Sequence, residues 1–213
     1  MAGHNLFMGC RCMRRKSRDF KGLNEWEKTA TEQEKALKAT ALEYDRLYFD
    51  DMDFEPGSIT GNAYFPMPGS VNKKYPEMKR NKLYECTPTV IQDFRFHIKD
   101  RPGINWGGTC DKWDIYINSS CINRPEVILH EMIHARIQTF PDAFKEIITV
   151  CLYDKLKKDI GRKFNLSFLT GFFNESMNDP EFPEFILHGP LFFLKSLDLD
   201  NRLGFPGGTV YGY

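Results

Sequence analysis

Val127-Ile128-Leu129-His130-Glu131-Met132-Ile133-His134-Ala135 is the stretch on which the reading of this chain turns. Histidines at i and i+4 lie one helical turn apart on one face, so both imidazoles can reach a single metal ion. Glu131 follows the first of them and can reach a water on that ion. The spacing is the His-Glu-x-x-His of zinc peptidases, with the histidines as ligands and the glutamate as general base. Chance would produce it roughly once in a hundred chains of this His and Glu content, so context has to decide. Val127, Ile128, Leu129 and Ile133 are apolar and predict a buried helix, in which two histidines and a carboxylate need compensating partners. That helix is predicted from Arg124-Pro125-Glu126, capped by Asn123, to about Gln138.

A catalytic zinc takes three protein ligands and keeps one position open. The remaining histidines are His4, His97 and His188. His188-Gly189-Pro190 precedes Leu191, Phe192, Leu194 and Leu197, which predicts a helix opening at the proline. A carboxylate competes for the role. Gly171-Phe172-Phe173-Asn174-Glu175 with Asp179 looks like the NExxxD helix of thermolysin-type gluzincins, where the glutamate is the third ligand. Glu175 sits in an Asn/Asp-rich stretch ending at Pro180, which reads as a helix end, whereas a ligand needs a rigid platform.

Taken together, His130-Glu131-Met132-Ile133-His134-Ala135 and His188-Gly189-Pro190-Leu191-Phe192 resemble the SprT/Spartan zinc metallopeptidases. In that family a helix of this type supplies two ligands, and an HGPxF motif opens the next helix with the third. The resemblance covers about residues 86–200 and implies Zn²⁺ held by His130, His134 and His188, with Glu131 catalytic. It further implies an α+β fold: a small zincin-type domain of helices packed on a short β-sheet. The alternating segment Trp113-Asp114-Ile115-Tyr116-Ile117-Asn118 reads as a half-exposed strand and resembles the family's substrate-binding edge strand. The implied activity is that of an endopeptidase using a metal-activated water. Spartan proteins cleave proteins crosslinked to DNA, so protein or peptide substrates near DNA are implied as well. The spacer from His134 to His188 exceeds that of familiar members, and a helix is predicted inside it from Asp142 to Ile160. The alternative is a catalytically silent, zinc-stabilised domain that binds nucleic acid or protein. Glu131 argues against it, because a structural site has no use for that carboxylate.

Outward from this centre the chain is less specific. Its 213 residues carry 29 Lys+Arg and 29 Asp+Glu, which disfavours a globally basic nucleic-acid binder. Arg11, Arg14, Arg15, Lys16 and Arg18 nevertheless form a basic arm, either solvated or in non-specific contact with DNA phosphates. A helix is predicted from Asn24, with Glu27 completing a capping box. Trp26, Ala30, Leu37, Ala41, Tyr44 and Tyr48 form its apolar stripe, and it ends near Asp50-Asp51-Met52-Asp53. Residues 56–82 are rich in Pro, Gly, Asn and Lys and read as a linker. This divides the chain into a helical N-terminal extension, 1–82, and a metallopeptidase domain, 83–213. Thr87-Pro88 predicts a short helix with Val90, Ile91 and Phe94 inward, and Gly103 and Gly107-Gly108 mark turns. No apolar run approaches the roughly 18 residues that span a bilayer, and the first residues do not read as a signal peptide. These features predict an intracellular chain, cytoplasmic or associated with nucleoid or nucleus, with its six cysteines reduced. Cys10 and Cys12 form a lone CxC, a weak metal motif.

Overall fold

The computed structural model describes residues 19–49, 91–100, 107–138 and 188–212, with isolated helical positions between 145 and 158. Two helices stand where the sequence predicts one: α1, Phe20–Thr29, and α2, Glu32–Tyr48. Asp19 starts α1 by accepting from the Gly22 N–H at 2.9 Å, so Asn24 lies inside the helix instead of capping it. Thr31 then resets the backbone. It is extended, its Oγ1 accepts from Glu34 N–H at 3.2 Å, and Glu34 Oε2 accepts from Thr31 N–H at 2.8 Å. This reciprocal pair satisfies two orphan donors and fixes a second helix start. The predicted stripe survives the break. Trp26, Leu37 and Ala41 are buried, and Ala30, Tyr44 and Tyr48 pack against the core.

A 3₁₀ turn, Ile91–Asp93, leads into the sheet, with Ile91 and Phe94 buried as expected. The helix start predicted at Thr87 lies outside the described residues. Three short strands follow: β1, Arg95–Ile98; β2, Gly108–Asp111; and β3, Asp114–Ile117. Their order is β1-β3-β2, with β1 parallel and β2 antiparallel to β3. Lys112, at φ 53°, makes the tight connection between β2 and β3. The segment 113–118 is therefore not an edge strand. β3 lies at the centre, its backbone groups taken by a neighbour on each side, and cannot accept an added peptide. The cause is the β2–β3 hairpin, whose first strand, Gly108-Thr109-Cys110-Asp111, carries no alternating apolar pattern to announce it.

α3, Pro125–Ile137, follows directly, with Pro125 at its first turn and Arg124 at the cap position without a side-chain bond, in place of the predicted Asn123. Between α3 and the last helix, residues 145, 148, 149, 152, 153, 155, 156 and 158 are helical. Ile148, Leu152 and Leu156 are buried at i, i+4 and i+8, the spacing of an inward helical stripe among these described positions. α4, Pro190–Leu203, starts where the His-Gly-Pro motif places it and stops at Gly204, which is left-handed at φ 70°.

The architecture is α+β, with α3 packed against β2, β3, α2 and α4. A single hydrophobic cluster takes in Trp26 of α1, Leu37 of α2, Ile115 of β3, Leu129 of α3 and Leu194 of α4. Polar ties cross it. Trp26 Nε1 donates to the Phe96 carbonyl at 3.0 Å, and Lys195 Nζ donates to the Tyr48 carbonyl at 2.6 Å. The Arg136 guanidinium, fully buried on α3, meets Asp45 of α2 at 2.5 and 3.0 Å. Among the described residues no helix is long and apolar enough to cross a membrane.

Removing one member of a buried charge pair typically costs about 3–5 kcal/mol, because the other stays behind in the interior. Asp45→Ala is expected to lower the unfolding free energy by about that amount in a denaturant titration. A loss below about 1 kcal/mol would mean that the pair does not hold α2 to α3.

Candidate metal centre

α3 carries His130, Glu131 and His134 into the interior because nearly every other position from Val127 to Arg136 is buried too. The i, i+4 spacing puts the two imidazoles on one face, with their Nε2 atoms 3.2 Å apart. His188 comes from the other side. It sits immediately before α4, where extended Gly189 at the cap and Pro190 in the first turn fix the direction of entry. Its Nε2 lies 3.1 Å from that of His134. The three candidate ligand atoms all fall within 4.8 Å of one another, so His130, His134 and His188 can hold a metal ion. Phe192, in the first turn of α4, floors the cluster. Its ring centroid lies 4.8 Å from that of His130, 4.5 Å from His134 and 4.6 Å from His188.

The tautomer of the first ring follows from its partner. His130 Nδ1 lies 2.8 Å from the Val210 carbonyl oxygen, which can only accept, so the proton sits on Nδ1 and Nε2 offers its lone pair. Burial pushes the His130 imidazole down to about 4, and burial with its two histidine neighbours pushes His134 down to about 3. Both rings are neutral at physiological pH, the form that ligates. One N–H placed among three ring nitrogens cannot satisfy them all, whereas a cation accepts every lone pair at once. The donor set therefore fits a metal of the imidazole-binding type.

Glu131 is 3% exposed, and burial pushes its carboxyl up to about 8. Its Oε2 has no hydrogen-bond partner among the described residues, a costly arrangement unless a ligand, water or cation completes it. The space it fills is left by Gly108 of β2. A Cβ there would stand 2.8 Å from Glu131 Cγ and 2.9 Å from Glu131 Oε1 and the Tyr116 carbonyl. Gly108, read from sequence as punctuation of a turn, thus lets the strand run close over the carboxylate.

Other candidates fall elsewhere. His97 lies on β1, 2.8 Å from Asp114 Oδ1 and stacked on Tyr116. Cys110 and Cys121 are free thiols. His4, Cys10, Cys12, Glu175 and the basic residues Arg11, Arg14, Arg15, Lys16 and Arg18 lie outside the described residues. Sequence reasoning missed Val210, which acts through a backbone carbonyl 80 residues from its partner and so leaves no side-chain signature. It also missed Tyr211, whose ring packs 5.6 Å from that of His188; only the Gly207-Gly208 turn signal hinted that the chain folds back here. The chain matches no family model, no curated protein and no solved structure.

The geometry predicts one divalent metal per chain. His130→Ala, His134→Ala and His188→Ala should each lose it in metal analysis of the purified protein, and Glu175→Ala should keep it. Loss in Glu175→Ala with retention in His188→Ala would give the third position to the carboxylate.

Proposed function

We propose that this protein is a zinc-dependent endopeptidase of the SprT/Spartan-like type. One observation carries the reading: three histidines converge at ligand distance, and the residue that follows the first of them is a buried carboxyl with one oxygen lacking a partner among the described residues. A purely structural zinc site takes four protein ligands. Here the described residues supply three, and the chain carries beside the first of them the glutamate that His-Glu-x-x-His reserves for proton transfer. His130, His134 and His188 would hold the zinc, which supplies the Lewis acidity that makes water a nucleophile near neutral pH.

The rest of the work belongs to the chain's own residues. Burial alone holds the Glu131 carboxyl at about 8; the charge of a bound cation would return it to the carboxylate, which would then take a proton from the attacking water and give it to the leaving amine. Phe192 and the apolar face of α3 keep bulk water from the rings. Substrate would lie on β2 rather than β3. Asn118 N–H donates to the Gly107 carbonyl, and alternation along an antiparallel ladder then turns the backbone groups of Gly108 and Cys110 to the outer edge. An extended peptide paired there would run past Glu131, held by main-chain hydrogen bonds that tolerate many sequences. Action on DNA-associated proteins is part of the same reading. It rests on the resemblance and on the five cations of the arm, with salt-sensitive duplex binding as its check.

Glu131→Gln is expected to retain zinc and fold and to lose about 10²–10⁴-fold in cleavage of an unfolded protein. Equal cleavage by mutant and wild type would remove Glu131 from the mechanism. A zinc-loaded wild type that cleaves no unfolded protein or peptide would favour the alternative, a silent zinc-stabilised binding domain.

A further inference from the structure

The carbonyl that orients His130 is itself held in place. After Gly204 ends α4, the chain turns back through Pro206 to Thr209, and Gly208 takes φ 91° to close the turn. Asp200, on the last turns of α4 and 2% exposed, faces this loop. Its Oδ2 accepts from the Gly208 N–H at 2.7 Å and its Oδ1 from the Val210 N–H at 3.0 Å, while its own carbonyl accepts from Phe205 N–H at 2.8 Å. One buried carboxylate therefore grips the N–H groups of the residues on each side of Thr209, and the Val210 carbonyl that follows reaches His130 Nδ1 at 2.8 Å.

We infer that Asp200 is a positioning residue of the metal centre, fixing the Val210 carbonyl and through it the tautomer and angle of the His130 ring. This deepens the proposed function and rests on its metal site. The alternative role for such a carboxylate is to close the tail against α4, with no consequence for the ring. The geometry argues for more than that. A carbonyl in contact with a ligand must be held at one distance and one angle, and two charge-assisted bonds to neighbouring amides restrict both. α4 then serves the site from both ends. Its start delivers His188, and Asp200 near its finish sets His130.

The test uses the full chain with Asp200→Ala and Asp200→Asn. The amide is nearly isosteric, keeps one acceptor and turns an NH₂ toward the second N–H. Zn²⁺ affinity is read by competition with a chelator, coordination by the visible spectrum of the Co²⁺ form, and ring orientation by the His130 Nδ1 proton in NMR of the metal-free protein. Asp200→Ala should weaken Zn²⁺ binding about 10–100-fold, the usual effect of losing support behind a ligand, and Asp200→Asn by less. The Co²⁺ spectrum should change, and the Nδ1 proton should exchange faster. If Asp200→Ala does not fold, Asp200→Asn carries the comparison. A lower melting temperature with unchanged zinc affinity, Co²⁺ spectrum and Nδ1 proton would make Asp200 a tail clasp only and overturn the inference. Failure of the wild type to bind zinc would instead sink the metal centre, and the Nδ1 proton would still show whether Asp200 orients the ring.

Discussion

Three imidazoles turned toward one another, two of them held neutral by burial, are poorly served by hydrogen bonds among themselves. His130 spends its proton on the Val210 carbonyl, so its Nε2 needs a donor. His134 Nε2 lies 3.2 Å from that atom and 3.1 Å from His188 Nε2, and one ring nitrogen cannot bond well to both. Burial blocks the easy exit of protonation by holding His130 and His134 far below their ordinary range. A cation resolves the frustration, and the surrounding fold can be read as the means of keeping the rings there.

Each element meets part of that demand. α3 brings two rings in a fixed relation and sits in apolar packing on most of its sides. Its far end is tied to α2 by Arg136 and Asp45, two residues beyond His134, so the N-terminal helices brace the helix that carries the ligands. α2 is held in turn by Lys195 and Arg202 of α4, which donate to carbonyls at its last turn. The buried Lys195 pairs with Asp198 at 2.9 Å, and Lys155 reaches the same carboxylate from the spacer helix at 2.9 Å. Positive groups on α4 thus pair with carboxylates or carbonyls.

The sequence made the centre legible and left its supports obscure, for physical reasons. Ligand spacing on one helix is a local matter, fixed by 3.6 residues per turn, so His130, Glu131 and His134 could be placed together from their numbers alone. His188 needed a motif, because Gly189-Pro190 fixes a helix start and not its distance from α3. The split between α1 and α2 was present as Thr31 and Glu34, but Asn24 and Glu27 offer the same spacing, and only Asp19 in space decides between them. The position of β3 could not be read locally. Alternation marks a strand's faces and says nothing of its neighbours, and Gly108-Thr109-Cys110-Asp111 lacks the pattern that would have revealed a partner. Val210 acts on His130 through its backbone carbonyl, and the Asp200 carboxylate grips backbone N–H groups beside it, atoms that sequence identity does not encode.

X-ray absorption at the zinc edge of the metal-loaded protein tests the central claim most directly. The account predicts a first shell of about three nitrogens near 2.0–2.1 Å with one oxygen at a similar distance, the signature of three histidines and an open position taken by solvent. A sulfur shell at about 2.3 Å, or a fourth protein ligand closing the site, would contradict it and leave a structural zinc in place of a catalytic one.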